Sequence, residues 1–217
     1  MKILAVTDQV VESLYSPNVK ERFGDVEMIV SCGDLPYGYL DYLATMLNRP
    51  LYFVHGNHDR DYEYTETGAR YLAPLGALSL DRRAVVGPGG VLLAGLEGSI
   101  RYDPVSGHQY TQEQMDRRAR QLALRLMANR LRYGRSLDIL VTHSPPFGVG
   151  DGPDPAHVGF RAFNTLIERF KPRLLLHGHR HIYRGTYGTP PSVQVGATRV
   201  VNVYPYQLIE WEDELDR

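Results

Sequence analysis

Cysteine is almost absent from this chain: Cys32 is the only one in 217 residues. That excludes an intrachain disulfide and any cysteine-based metal cluster. It fits a reducing compartment, so a cytoplasmic location is expected. Net charge is missing too, at −1, which removes any general attraction to nucleic acid or anionic lipid. Lysine is scarce beside arginine, 3 against 21, a bias that genome composition produces readily and that carries little functional weight. No apolar run reaches membrane-spanning length. The first run, Ile3 to Val6, is broken at once by Thr7-Asp8 and is too short for a signal peptide. Repeats, low-complexity stretches and Ser/Gly/Pro-rich linkers are lacking. One domain over residues 1–217, ending in a polar tail at 212–217, is therefore expected.

What is present is an ordinary globular composition, 43% hydrophobic and 23% charged, which argues against disorder. One pattern recurs five times: a short apolar run that ends directly in polar, metal-competent residues. Lys2 to Thr7 ends in Asp8. Met28 to Ser31 runs into Cys32-Gly33-Asp34, and Leu51 to Val54 into His55-Gly56-Asn57-His58-Asp59. Ile139 to Thr142 delivers His143, and Leu174 to Leu176 opens onto His177-Gly178-His179-Arg180-His181. Runs of this kind, without alternation, suit strands covered on both faces.

Between them the spacing predicts helices over 37–47, 111–133 and 160–170. Thr111 with Gln114 forms a capping-box signature, Met115, Ala119, Leu122 and Leu126 follow at helical spacing, and Gly134 suits the exit. Gly87-Pro88-Gly89-Gly90 turns the chain into a strand from Val91 to Leu96. Short strands follow at 193–195, 199–203 and 207–211. Strands alternating with helices, then a strand-rich end, indicate an α/β domain with a mixed sheet or two stacked sheets. Ligands in such folds gather outside the carboxyl ends of the strands, where all five polar endings would converge.

The strand-end groups are Asp8, Asp34, Asn57, His58, His143, His179 and His181. Each taken alone has an ordinary reading as a turn, cap or strand-end residue; the ordered set is what points to chemistry. Carboxylate with imidazole suits manganese, iron, zinc or nickel. Seven donors exceed the needs of one tetrahedral ion and favour two. Two ions about 3.5–4 Å apart clamp the attacking and leaving oxygens of a phosphoester and bring a bound water's pKa toward about 7.

In this order the motifs Asp8, Gly33-Asp34, Gly56-Asn57-His58-Asp59, His143 and Gly178-His179-Arg180-His181 resemble those of the calcineurin-like metallophosphoesterases. The resemblance spans positions 8 to 181. It implies a four-layer αββα sandwich, two mixed β-sheets flanked by helices, with the site at one edge. It further implies that Asp34 bridges two divalent metal ions, that Asp8 and His181 hold the first, and that Asn57, His143 and His179 hold the second. His58 would then assist the leaving oxygen, with Asp59 orienting its ring. The implied activity is hydrolysis of a small phosphoester, as a phosphodiesterase or phosphatase, by a metal-bound hydroxide. No membrane or nucleic-acid partner is implied. The alternative on the same fold is a non-catalytic scaffold or ligand-sensing module.

One position departs from the family. Its first motif is Asp-x-His, and here it reads Asp8-Gln9-Val10. Val10 cannot coordinate, so the first metal position is expected to be weak or substoichiometric, with Gln9, Glu12 and His108 as the available substitute donors. His55 and His177 read as supporting or packing residues beside the motifs. His108 and His157 read as exposed loop residues, and Cys32 as a buried small apolar residue. The arginines from Arg117 to Arg135 read as a solvated helix face. Arg60, Arg101, Tyr102 and Arg180 adjoin the motif loops and are candidates for contact with substrate phosphate.

Overall fold

The computed structural model describes residues 1–60, 62–64, 68, 70–71, 73–103, 105–182 and 192–211; the polar tail expected at 212–217 lies outside them. The apolar runs form strands because each has both faces to bury. Along Lys2–Val6, Ile3 and Ala5 point one way and Leu4 and Val6 the other, and all four are buried. Met28 and Val30 oppose Ile29, Ile139 and Val141 oppose Leu140, and Leu174 and Leu176 oppose Leu175. A period of two with no polar face is what a sheet sandwiched between other layers requires.

Two mixed sheets result. In the first, the spatial order is Tyr206–Glu210, Lys2–Val6, Met28–Ser31, Leu51–Phe53, Leu78–Ser79. Its pairs are parallel except Lys2–Val6 with Tyr206–Glu210, in which Lys2 faces Glu210. In the second the order is Ser192–Val195, Thr198–Asn202, Leu174–His177, Ile139–Thr142, Leu92–Leu96, Ala84–Val86. Its interior pairs are parallel and its two edge strands antiparallel.

Three apolar clusters mark the interfaces between layers. Ile3, Met28 and Val30 of the first sheet pack on Leu93, Val141 and Leu176 of the second. The short helix α1 (Val19–Phe23) and α2 (Tyr37–Leu47) cover the outer face of the first sheet through Val19, Phe23, Leu40 and Leu43. Helices α3 (Gln112–Tyr133) and α4 (Arg161–Phe170) cover the second through Met115, Leu122, Phe163 and Ile167. The four-layer αββα order expected from the resemblance is therefore present. No helix among the described residues is long and apolar enough to cross a membrane.

Helix ends follow local chemistry. Thr111 caps α3 with the reciprocal capping box, and Gly134 ends it in the left-handed conformation. Phe160, expected as the first residue of α4, instead caps it in an extended conformation. Helix α1 is not foreshadowed in the sequence, because five residues are too few for a helical period to show.

Candidate metal centre

Five parallel strands, three from the first sheet and two from the second, bring their carboxyl ends to one edge. The chain turns there at once. Asp8, Asp34 and His179 all take left-handed backbone, with φ of 58°, 58° and 65°, a region few non-glycine residues occupy. Hydrogen bonds then tie the two sheets together. Asp8 Oδ2 accepts from the Thr7 hydroxyl at 2.6 Å and from the His179 amide at 2.9 Å. Gly178 permits that approach, since a Cβ there would lie 2.0 Å from Thr7 Oγ1 and 2.4 Å from Asp8 Oδ2.

Around Asp34 the donors converge. His143, fully buried, directs Nδ1 at the Cys32 carbonyl at 2.8 Å. With Nδ1–H donating there, Nε2 faces Asn57 Oδ1 at 3.0 Å and Asp34 Oδ2 at 3.3 Å. His179 directs Nε2 at the Ala156 carbonyl at 2.8 Å, which leaves its Nδ1 for the site. Asn57 donates Nδ2 to the Tyr102 hydroxyl at 2.9 Å, so its amide oxygen points inward. Ligand atoms of Asp34, His143 and His179 lie within 4.8 Å of one another. Each ring has one nitrogen committed to a carbonyl, and the other nitrogen of His143 faces the carboxylate, the arrangement that metal-ligating histidines adopt. The donor set therefore fits a divalent ion.

Charges agree with the geometry. Burial opposes an ionised Asp34, but His143 beside it holds the carboxyl well below the usual range. Burial likewise opposes a charged His143, yet Asp34 pushes it up to about 9. Burial and the charge on His143 push His179 down to about 3, and burial pushes its neighbour His177 down to about 4. With Nδ1–H on the Cys32 carbonyl, the proton that Asp34 favours on His143 sits on Nε2, where a metal would bind.

A second group is looser. His181 Nε2 lies 3.5 Å from Asp8 Oδ1, and its side chain is 44% exposed against 2% for Asp8. Asp8 raises His181. Burial works to raise Asp8 in turn, but the hydrogen bonds from His181 and Thr7 and the charge on His143 outweigh it. Tyr204 stacks on the His181 ring, centroids 4.4 Å apart, and donates its hydroxyl to Gln9 Oε1 at 2.7 Å. Val10 is exposed. Of the substitute donors, Gln9 is engaged by Tyr204, Glu12 is exposed, and His108 belongs to another cluster.

His58 is exposed and borders a cavity of about 390 Å³ with Asp8, Asp34, Tyr102, Ala156, His157, His179 and His181. Asp59 does different work from that expected. Its Oδ2 accepts from the amides of Gly56 at 2.7 Å and Asp34 at 2.9 Å, stapling the two motif loops together. No described contact joins it to the His58 ring. Burial and the charge of Asp34 raise its pKa, and the two amides are what a carboxylate there has in compensation.

Other expectations need correction. His108 is not an exposed loop residue: its side chain is 10% exposed, stacked on His55 and 3.5 Å from Glu97. His157 is in a loop with its side chain 37% exposed, as expected, but it also borders the cavity and pairs with Asp154 at 2.7 Å. Arg118 leaves the solvated face of α3 and bridges Asp81 and Glu97 at 2.7 and 2.8 Å. Arg101 is bound to the Gln109 carbonyl. Arg60 does border a cleft beside Asp34 and His58. Tyr102 reaches the site through Asn57, and no spacing in the sequence connects the two.

Comparison with known proteins agrees with this architecture. The family described as calcineurin-like phosphoesterase matches residues 3–183. Among solved structures, TT1561 of Thermus thermophilus is 16% identical, with a TM-score of 0.60 over 93% of this chain and 88% of that one. Vacuolar protein sorting 29 from Cryptosporidium parvum is 12% identical, with a TM-score of 0.41 over 93% and 72%. No curated protein gives a significant match. A family match across most of the chain, on a sandwich that gathers the same five motifs at one edge, shows that the chain belongs to the calcineurin-like phosphoesterases, a family with a dinuclear metal site.

Proposed function

We propose that this protein is a metal-dependent hydrolase of small phosphoesters. Asp34, Asn57, His143 and His179 would hold a divalent ion at the second metal position, and Asp8, Asp34 and His181 a less tightly held one at the first. The observation that carries the reading is the preset orientation of Asn57 Oδ1, His143 Nε2 and Asp34 Oδ2, which face one another at 3.0 and 3.3 Å. When bound, the ions supply Lewis-acid charge and a nucleophile active near neutral pH.

The chain's own residues do the rest. Asp34 faces both groups of donors and is fixed by its amide on Asp59 and by accepting from the His58 amide at 2.8 Å. That second bond ties the position of His58 to the carboxylate that would serve both ions. The exposed His58 imidazole stands at the cavity mouth, able to hold or pass a proton at the leaving oxygen. Asp59 positions the His58 loop through backbone amides, and Tyr102 positions Asn57. A cavity of this size suits a small phosphodiester or nucleotide-type substrate, and the single buried thiol fits a cytoplasmic enzyme.

Hydrolysis of bis- and mono-nitrophenyl phosphate across manganese, iron, nickel and zinc tests the reading, with His58→Ala as control. Metal-dependent turnover that drops about 10²-fold or more in the variant is expected. Val10, an apolar residue where the family has a histidine, favours one other reading, a non-catalytic scaffold on the same fold. Absence of turnover with every metal, or turnover indifferent to His58, would favour it.

A further inference from the structure

A cleft of about 740 Å³ opens beside α3, and none of its lining residues borders the cavity next to His58. One wall is the turn that carries the chain from the first sheet to the second. Leu78–Ser79 is the last strand of the first sheet and Ala84–Val86 the edge strand of the second. Between them Arg83 N donates to Leu80 O at 2.9 Å and Arg82 N to Gly95 O at 2.9 Å, which fixes a tight turn. That turn brings Arg82 and Arg83 to the cleft, and α3 adds Gln121, Leu124 and Arg125. We propose that this cleft binds a small organic phosphate, a metabolite with two or three linked phosphate groups, through Arg82, Arg83 and Arg125.

The balance of charge makes the case. Two carboxylates line the cleft, Asp81 and Glu97, with side chains only 9% and 11% exposed, and both are engaged from behind. They share the Arg118 guanidinium at 2.7 and 2.8 Å, and Glu97 also accepts from the Tyr110 hydroxyl at 2.6 Å. The arginines are less committed. Arg82 meets Asp81 through Nε alone, at 2.9 Å, so its two terminal nitrogens stay outside that bond. Arg83 and Arg125 are exposed, and among the described residues neither side chain has a hydrogen-bond or ion-pair partner. With Arg118, four guanidiniums stand against two carboxylates in a chain whose total charge is −1. Positive charge is therefore concentrated here against the composition of the whole.

The form of the lining selects the ligand. Each guanidinium is a planar fork that takes two oxygens of one phosphate, and three forks suit a short chain of phosphates better than a single anion. Arg82 holds left-handed backbone, φ 52°, a region few non-glycine residues occupy. Glycine would be at ease in that turn; arginine there gives the cleft a third fork. Leu124, 65% exposed, is an apolar wall beside these charges, and it suits the organic part of the ligand. The volume is that of an ordinary metabolite pocket.

Inorganic triphosphate is the probe, titrated by calorimetry into the full-length chain after chelation and dialysis, so that no ion at the proposed hydrolytic centre draws it there. One equivalent is expected to bind. Arg83→Gln and Arg125→Gln should each weaken binding about tenfold, and together about 100-fold. Arg120→Gln/Arg130→Gln removes the same charge from α3 outside the cleft and should leave the affinity within about twofold. Citrate should bind more weakly, having less charge and no chain of tetrahedral groups to span three arginines. The inference is independent of the hydrolase reading, since turnover is not measured. Absence of triphosphate binding would overturn it, as would binding indifferent to Arg83 and Arg125. Equal weakening in the Arg120/Arg130 variant would reduce the effect to general attraction, and tighter citrate would refute the phosphate class. If the Arg83/Arg125 double variant does not fold by circular dichroism, the two single variants decide.

Discussion

Gly56 sits between the two loops that deliver Asp34 and His143, and adding one methyl group there should disable the centre. A Cβ built on Gly56 lies 2.0 Å from Asp34 Oδ1, 2.4 Å from Asp34 Cγ and 2.7 Å from His143 Cε1. The carboxylate would have to retreat by about 1 Å or more before the contact became tolerable. It has nowhere easy to go. Asp34 N is bound to Asp59, and Oδ1 accepts from the His58 amide at 2.8 Å. His143 is fully buried with Nδ1 on the Cys32 carbonyl. The overlap therefore falls on the one carboxylate that faces both groups of donors.

Overpacking of this kind costs about 1–3 kcal/mol of stability, and a misplacement of about 1 Å in a reacting constellation costs about 10²-fold in rate. For Gly56→Ala the expected outcome is a folded protein of lowered melting temperature, with reduced metal content by element analysis and nitrophenyl phosphate turnover down by about that factor. Gly38→Ala is the control. Gly38 is exposed in the first turn of α2 and a Cβ there meets nothing within 4 Å, so alanine should be neutral or stabilise by up to about 1 kcal/mol. If Gly56→Ala holds the same metal with the same affinity and turns over at the native rate, the assignment of Asp34 and His143 to one centre is wrong.

Five other outcomes follow. Because Asp34 pushes His143 up to about 9, loading the second metal position should expel a proton, and affinity should rise about tenfold per pH unit up to about pH 9; calorimetry in two buffers of different ionisation enthalpy reads this, and a pH-independent affinity refutes it. The stabilising His143–Asp34 ion pair of the metal-free protein is, by the same raised value, complete below pH 6.5 and lost as pH climbs through about 9. Tyr102→Phe removes the acceptor for Asn57 Nδ2 and should loosen the second ion about tenfold while stability shifts by about 1 kcal/mol, so metal titration beside a thermal melt separates the two. Val10→His should strengthen the first metal position and leave the second unchanged, and identical titrations of both forms would sink that idea. Arg118→Met leaves Asp81 with Arg82 and Glu97 with Tyr110 and two histidines, and should cost about 1–3 kcal/mol in chemical denaturation.

Much of the fold was legible because its strands are buried on both faces. Runs such as Ile29-Val30 and Leu174-Leu175-Leu176 have no polar side to present, and helices such as α3 carry their own cap and exit residues. What stayed hidden was either too short to show a period, like α1 and Leu78–Ser79, or built from distant pieces. Arg118 lies on a helix that reads as exposed, and only folding brings Asp81 and Glu97 to it. His108 escapes sequence reading for the same reason: nothing near it in the chain announces that Glu97 and the His55 ring will enclose it. Donors at strand ends could be read, because the strand itself fixes where they go. Donors on loops, such as His157 and the Ala156 carbonyl, could not.

That distinction bears on the first metal position, where the sequence alone pointed to a defect. Val10 removes a donor, yet the neighbouring residues of the same motif remain committed to the site. Asp8 keeps its Oδ2 on Thr7 and the His179 amide, leaving Oδ1 toward His181. Gln9 holds the Tyr204 hydroxyl, and Tyr204 stacks on the His181 ring. On the proposed reading, residue 8 would supply a ligand atom while residue 9 steadies the ring of His181 through a tyrosine 195 positions away. A motif decaying toward a pure scaffold would have no reason to keep His181 so oriented. The proposed first position thus has fewer donors in a preserved frame, and it would bind its ion more weakly than its neighbour but in the same place.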